Sequence, residues 1–161
     1  MTATMSQLAV KLERTDDVDL LKSIMQQPEI FDGISDDGSV ERDKFEPAIH
    51  PAVWYVLARA EDRLLGVWMF HPQTSTCWEA HTCLLPDAGS AGVIAARSLP
   101  SWIWEKTGCT RIVTSIPRYN RPARFLAINV GMTQYGMNPG AWRKWGMDHD
   151  LLLYGISKEG K

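Results

Sequence analysis

The stretch Arg111–Met137, RIVTSIPRYNRPARFLAINVGMTQYGM, decides how the rest of the chain is interpreted. Its first six residues, as far as Ile116, are mostly apolar or β-branched and predict a buried strand that ends at Pro117. Asn120 stands where a helix N-cap is expected, because its side-chain oxygen can accept from an exposed backbone N–H. Pro122 falls in the first helical turn, where a missing N–H costs least.

The helix that follows Asn120 is predicted to be short and one-sided. Its apolar residues recur at helical spacing, at Ala123, Leu126, Ala127 and Val130. Gly131 is well placed as the residue that closes the helix, since glycine readily adopts the left-handed conformation needed there. Met132–Met137 can then enter another strand. The whole unit is therefore a strand, a capped helix, a glycine stop and a second strand.

Composition indicates one soluble globular domain covering residues 1–161. The hydrophobic fraction is 45%, the charged fraction is 22%, and the net charge is −2, which gives no reason to expect nucleic acid as a partner. No apolar run approaches the roughly 20 residues of a membrane helix, so we expect no membrane association. The N-terminus does not have the pattern of a signal peptide, and we expect a cytoplasmic protein.

The three cysteines, Cys77, Cys83 and Cys109, predict neither disulfides nor a metal site. An odd number argues against a disulfide framework and fits a reducing compartment. None of them forms a C-x-x-C pair, so no zinc site is predicted.

Upstream, the pattern predicts a strand, a helical region and then a three-stranded meander. A first strand is expected at Gln7–Arg14, and a helix follows up to Gln27, where Pro28 stops it. The acidic, turn-rich residues Glu29–Pro51 leave room for one short helix near Val40–Phe45. The meander strands are expected at Val53–Ala60, Arg63–His71 and Thr76–Leu85.

A loop and a long helix join the meander to the central unit. We expect the helix at about Ser90–Lys106, with Pro100 bending or splitting it. After the central unit, Ala141–Met147 is interpreted as a loop that carries Trp142 and Trp145, and Asp150–Ile156 as the last strand.

This order of elements, together with the Asn120-to-Gly131 helix and the nearby Gly136, resembles the GNAT superfamily of N-acetyltransferases. The resemblance implies an α+β fold with a mixed, mostly antiparallel central sheet flanked by helices. It also implies a splayed strand pair that makes room for acetyl-coenzyme A. In length and in its helix-loop region the chain is similar to small phage-encoded GNAT-like proteins.

The family's pyrophosphate loop, written Q/R-x-x-G-x-G/A, is matched only in part. Gly89, Ser90 and Ala91 supply the G-x-A, whereas Pro86 occupies the Gln/Arg position and Asp87 adds a negative charge. The resemblance implies that residues 89–92, ending at Gly92, hold the pyrophosphate. It also implies that backbone groups of Cys83, Leu84 and Leu85 hold the pantetheine. A glycine-rich turn with a purely structural role remains the alternative.

Glu79 and His81 share one face of the third meander strand, because side chains alternate along a strand. In the family a glutamate on this strand often deprotonates the attacking amine, and histidine suits general base work near neutral pH. The alternative is a carboxylate and an imidazole that face solvent or make a structural hydrogen bond.

The helix after Asn120 departs from the family at one position. Many members carry a tyrosine seven residues after the asparagine, which protonates the leaving thiolate, and here that residue is Ala127. Asn120 is expected to cap the helix or to bind cofactor. Arg124, in a cluster with Arg118 and Arg121, can contact phosphates or remain solvated.

Two functions follow from the resemblance. The first is an N-acyltransferase that moves an acetyl group from acetyl-coenzyme A to a small-molecule or protein amine. The second is a catalytically inactive GNAT-fold protein that serves phage head or virion assembly, in the host cytoplasm or the virion. Trp142 and Trp145, which lie beside Arg143 and Lys144, would be its docking residues, and self-association is left open.

Overall fold

The strands of this protein form one sheet with helices on both faces, in a computed structural model that describes residues 9–159. In chain order the elements are β1 (Val10–Thr15), α1 (Val18–Met25), α2 (Pro28–Ile34), a 3-10 turn (Arg42–Lys44), β2 (Trp54–Ala60), β3 (Arg63–Pro72), β4 (Cys77–Leu84), α3 (Gly89–Lys106), β5 (Arg111–Pro117), α4 (Arg121–Val130), β6 (Thr133–Lys144) and β7 (Met147–Ser157).

The seven strands lie in the order β1-β2-β3-β4-β5-β7-β6. Neighbouring strands are antiparallel except β4 and β5, which are parallel because α3 forms the crossover between them. The predicted α+β fold, a mostly antiparallel mixed sheet between helices, is therefore confirmed.

Side-chain alternation along the strands gives the sheet two apolar faces. One face packs against α3. The buried cluster between them includes Val56 and Phe70 from the sheet and Ala95 and Ile103 from the helix. The opposite face packs against α1 and α2 through a second cluster, whose members include Leu21, Ile24, Leu57, Val67 and Cys83. The sheet is thus covered on both sides around β2, β3 and β4.

The central unit has the predicted local structure. The Asn120 side-chain oxygen accepts from the Ala123 backbone N–H at 3.2 Å, which caps α4. Gly131 has a φ of 102° and its N–H donates to the Ile128 carbonyl, which closes the helix. Both predictions depended on interactions between neighbours in sequence, and both are confirmed.

Four expectations for the rest of the chain need correction. The first strand begins at Val10, and Gln7 and Leu8 lie outside the described residues. The first helix ends at Met25, and Pro28 opens a second helix, since proline fits a first turn. The short helix near Val40–Phe45 is a 3-10 turn. Pro100 does not split α3, which runs unbroken from Gly89 to Lys106 with Pro100 buried inside it.

The predicted loop at Ala141–Met147 is also wrong. β6 continues to Lys144 and β7 starts at Met147, so only Trp145 and Gly146 form the turn. Their φ values of 54° and 72° are those of a two-residue hairpin turn, which matches the twist of the flanking strands. The register shifts between Asn138 and Trp142, which places Pro139 at an irregularity of an edge strand, where proline is tolerated.

Among residues 9–159 no helix combines the length and the apolar character that crossing a membrane would require.

Candidate functional site: the opening between strands four and five

The strands β4 and β5 pair over only three residues and then part. Cys77, Trp78 and Glu79 face residues 111–113, and no further pairs follow in the described part of the chain. At the point of parting, the Thr114 hydroxyl donates to the Ala80 carbonyl at 2.9 Å. Beyond it β4 runs to Leu84 and β5 to Pro117 without pairing to each other. The predicted splayed pair is therefore present, with Glu79 at its vertex.

Backbone groups of alternate β4 residues face the opening. The Leu85 N–H donates to the Leu65 carbonyl of the β3 side at 2.9 Å, and the Cys83 carbonyl lies against Gly66 of β3. Because strand backbone groups alternate in direction, Thr82 and Leu84 turn their N–H and C=O groups toward the opening. Of the three residues predicted to hold pantetheine, Leu84 lies on the open side, whereas the Cys83 carbonyl and the Leu85 N–H face β3.

The Cys83 side chain is enclosed in the core beneath α1 and α2. Burial raises the pKa of its thiol to about 12, since a thiolate there would lose its hydration. A thiol that stays protonated is a poor nucleophile. Chemistry in this opening therefore has no covalent route through Cys83.

The start of α3 lies immediately after the end of β4. Its first residue, Gly89, has a φ of 57°, and within the described part of the chain no side chain caps the helix. The first N–H groups of a helix, here those of Gly89, Ser90 and Ala91, have no intrahelical acceptors and can bind an anion. The Arg63 guanidinium donates to the Asp87 carbonyl at 2.7 Å and so fixes the preceding turn. The partial loop motif thus leads into the N-terminus of α3, and its role in binding a pyrophosphate stays a prediction.

Gly92 allows α3 to pack tightly on the end of β4. A Cβ at this position would lie 3.0 Å from the Ala88 Cβ and 3.1 Å from a Leu84 methyl carbon. Gly92 itself is buried, so its contribution to the loop is close packing.

Glu79 and His81 meet a third side chain, His71 of β3. The register places His71 opposite Glu79, and His81 two residues further along β4 on the same face. The two Nε2 atoms of the histidines are 3.3 Å apart, and each lies 3.7 Å from a Glu79 carboxylate oxygen. The Gln73 amide donates to the same carboxylate at 2.8 Å. His71 was missed in the sequence because only the strand register reveals it.

The environment favours a neutral His81. Burial lowers the pKa of its imidazole; Glu79 acts in the opposite direction and His71 adds to the lowering. A neutral imidazole beside a carboxylate can accept a proton near neutral pH. The alternative role from the sequence, a structural hydrogen bond, is also present, since Gln73 orients Glu79.

On the other side of the opening, Asn120 and Arg124 follow β5. Asn120 caps α4, and the Arg124 guanidinium donates to the Arg118 carbonyl at the end of β5 at 3.0 Å. The Nε of Arg124 is buried without a hydrogen-bond acceptor among residues 9–159. Ala127 is buried with Ile116 on the underside of the helix, so no phenol occupies that position.

The two tryptophans predicted to dock partners have different environments. Trp142 is half-buried, and its indole N–H donates to the Tyr119 hydroxyl at 3.0 Å. Trp145 is 60% exposed at the hairpin turn, and its ring lies 4.8 Å from that of Tyr119. Trp142 therefore serves an internal contact, and Trp145 offers the more accessible surface.

A separate hollow of about 450 Å³ lies near the end of β1. Two of its polar side chains already have partners in the chain: the Arg14 guanidinium donates to the Pro51 carbonyl at 2.9 Å and stacks on Trp54 at 4.0 Å. His50 accepts from the Ala52 N–H at 3.0 Å. We therefore place the candidate site at the opening between β4 and β5.

A seven-stranded sheet in this order, parted between its parallel fourth and fifth strands, is the fold of the GNAT acetyltransferases. The ribosomal-protein α-N-acetyltransferase RimL, in complex with coenzyme A, superimposes with a TM-score of 0.74 at 14% identity over 94% of this chain and 96% of that one. Spermidine N-acetyltransferase from Vibrio cholerae, in complex with coenzyme A and spermine, gives 0.70 at 16% identity over 92% and 95%.

A GNAT-family acetyltransferase from Bacillus anthracis gives a TM-score of 0.57 at 20% identity over 67% of each chain. No protein-family model matches the sequence, and no curated protein matches it either. The likeness is thus one of fold.

Proposed function

We propose that this protein transfers an acetyl group from acetyl-coenzyme A to an amine by direct attack in a ternary complex. The observation that carries the proposal is the unpaired opening between β4 and β5, with Glu79 at its vertex. Two of the structural neighbours are acetyltransferases described in complex with coenzyme A. That supports the same donor here.

The residues around the opening suit acetyl-coenzyme A, which carries its acetyl thioester on a pantetheine arm with amide groups and a pyrophosphate. The outward backbone groups of Thr82 and Leu84 can pair with the amides of the pantetheine arm, as an added strand would. The first N–H groups of α3, from Gly89 to Ala91, can bind the pyrophosphate. The Nε of Arg124 is a buried donor with no acceptor in the described residues 9–159, and a phosphate or carbonyl oxygen would satisfy it.

Glu79 and His81 are the proposed bases. An amine reaches the site largely protonated, and one of these groups must remove its proton before the nitrogen attacks the acetyl carbon. Glu79 is only 17% exposed and lies at the vertex of the opening, which supports its proposed role beside the point where donor and acceptor would meet. Because Ala127 has no acidic proton, the leaving thiolate must take its proton from solvent or from another group.

The names of the structural neighbours suggest two kinds of amine to test as acceptors, polyamines and protein N-termini. The Vibrio cholerae enzyme is named for spermidine, and RimL is a protein α-N-acetyltransferase. Polyamines and peptides with free N-termini, together with a thiol assay for released coenzyme A, form the first test panel.

Acetyl-coenzyme A alone tests the donor site. A ligand at 100 times its Kd stabilises the folded state by about 2.7 kcal/mol, so the melting temperature should rise. Glu79→Gln should keep this shift while lowering kcat by about 10²–10⁴-fold with an accepted amine. Glu41→Gln is the matched control, because Glu41 is 74% exposed beside the 3-10 turn and should leave both readouts unchanged.

Absence of any thermal shift with millimolar acetyl-coenzyme A would contradict the proposal. The alternative, a catalytically inactive GNAT-fold protein of phage head or virion assembly, would then be tested by self-association and by binding to capsid proteins. Trp145, as the exposed member of the tryptophan pair, is the residue to substitute in that case.

A further inference from the structure

We propose that His71, Glu79 and His81 form a binding site for one first-row transition metal ion, for which Zn²⁺ is the best match. Each of the three offers one ligand atom, and these atoms all lie within 4.8 Å of one another. Two imidazoles and one carboxylate form a donor set that zinc readily accepts. Cysteine spacing could not indicate this site, since its ligands come from two strands and include no thiol.

The spacing of the two imidazole nitrogens fits a common metal ion. Ligands at about 2.0–2.1 Å in a tetrahedral arrangement lie roughly 3.3–3.4 Å from each other. The two Nε2 atoms are 3.3 Å apart and the ring centroids are 5.4 Å apart, so the nitrogens point almost directly at each other and both rings must turn to aim their lone pairs at one ion. One Glu79 oxygen lies 3.7 Å from the His71 Nε2 and the other lies 3.7 Å from the His81 Nε2, so the carboxylate must rotate to bring one oxygen to ligand distance from both nitrogens.

The sheet holds the three side chains in place. His71 and Glu79 are cross-strand partners of β3 and β4, and His81 follows two residues later, so all three project from one face. Binding therefore requires side-chain adjustment but no change of backbone. The Gln73 amide orients the carboxylate at 2.8 Å, as an outer-shell partner does in metal sites. Three protein ligands leave a fourth position for water or another molecule.

A direct hydrogen bond between the two imidazoles is the competing explanation of the 3.3 Å distance. In that arrangement one ring donates its N–H to the other, and no ion is needed. The two explanations differ in what happens when a metal ion is offered, because only a preorganised site binds it tightly and with one ion per chain.

The test is titration of the chelator-treated, full-length protein with Zn²⁺ by calorimetry, and with Co²⁺ by visible absorption. We expect one ion per chain and a Co²⁺ spectrum of tetrahedral type. His71→Ala and His81→Ala should each weaken Zn²⁺ binding by more than the roughly 10–100-fold typical of losing an outer-shell partner. Glu79→Gln keeps the shape of the side chain, removes the anionic ligand and should weaken binding as well.

His50→Ala is the matched control, because His50 is exposed at the turn before β2, is not one of the three clustered ligands and accepts a local backbone N–H. It should leave Zn²⁺ binding unchanged. Circular dichroism confirms that each variant is folded, and the Glu79→Gln variant preserves the test if a histidine variant fails to fold. No saturable binding by the parent protein, or equal binding by all variants, would overturn the proposal.

A bound ion would occupy the groups that we assign as bases. This expectation rests on the proposed function: Zn²⁺ should inhibit acetyl transfer, and a chelator should restore it. The calorimetric titration uses no acetyl donor, so it tests the metal site separately from the proposed transferase activity. Zn²⁺ that binds at the cluster without affecting transfer would show that Glu79 and His81 are not the bases.

Discussion

At the scale of single residues, the three thiols differ in environment although the sequence treats them alike. Cys83 and Cys109 are buried, and burial raises the pKa of both, for Cys83 to about 12. Cys77 is only half-buried at the start of β4. A disulfide reagent requires the thiolate, so at mildly alkaline pH we expect the native protein to react at Cys77 alone.

Ellman titration before and after denaturation measures this difference. One equivalent should react in the native state and three in guanidinium, and Cys77→Ser should remove the native-state equivalent. Rapid reaction of two or more thiols in the folded protein would show that the core around Cys83 or Cys109 opens readily.

Residues differ in how far the sequence reveals them. Asn120 and Gly131 were predictable because a cap and a helix stop depend on neighbours within one turn. Glu79 and His81 were recognised through strand alternation and family resemblance. His71 was not, because its place beside Glu79 depends on the register of two strands, and a shift of one residue would turn it to the other face.

At the scale of elements, the β3–β4 pair depends on Gly66. A Cβ there would collide with the Cys83 carbonyl and lie 2.9 Å from the Leu84 Cα, both of which are backbone atoms that cannot move aside. Gly66→Ala should therefore destabilise the protein by about 1–3 kcal/mol, the usual cost of overpacking. It should also weaken acetyl-coenzyme A binding, because Leu84 lies on the open side of β4.

Gly33→Ala is the matched control for Gly66→Ala. Gly33 lies in α2, and an added Cβ there has no neighbour within 4 Å. Alanine in place of a helical glycine should stabilise the fold by roughly 0.5–1 kcal/mol. Urea denaturation measures both changes, and equal stability of the two variants would contradict the close contact at Gly66.

The β6–β7 hairpin shows why one element was mispredicted. Its turn places Trp145 at a φ of 54°, a backbone conformation that glycine and asparagine adopt most readily. Two hydrogen bonds to a residue distant in sequence offset this strain. The Trp145 and Gly146 N–H groups donate to the Asp37 carboxylate at 3.0 and 2.8 Å. A partner more than a hundred residues distant cannot be read from a local pattern.

At the scale of the whole molecule, the order of elements predicted the fold because most connections from β2 onward are short and strands β2 to β5 have a clear hydrophobic pattern. The sequence did not predict how far along their length β4 and β5 separate. This separation depends on where Thr114 and Ala80 meet and on how α3 packs over Leu84. Both are contacts between elements, and they determine the space available to a ligand.

Lys144 joins the C-terminal hairpin to the C-terminal end of α2. It is 6% exposed, and its ammonium donates to the Asp32 carbonyl at 2.8 Å and to the Ser35 carbonyl at 2.7 Å. The Asp32 carboxylate lies 3.2 Å away but is itself largely exposed, so its charge adds little. The two backbone carbonyls are therefore the main partners of this buried cation.

Lys144→Met keeps the length of the side chain and removes its donors. Hydrogen bonds from a charged group contribute about 1.5–3 kcal/mol, so we expect a loss of that size in the free energy of unfolding. Lys44→Met is the control: Lys44 is 70% exposed in a surface ion pair, and its loss should cost within about 0.5 kcal/mol. Amide hydrogen exchange in β6 and β7 should accelerate in the Lys144 variant alone. If both variants unfold at the same urea concentration, the hairpin is held by its strand pairing, and the ammonium contributes nothing measurable to the stability of the fold.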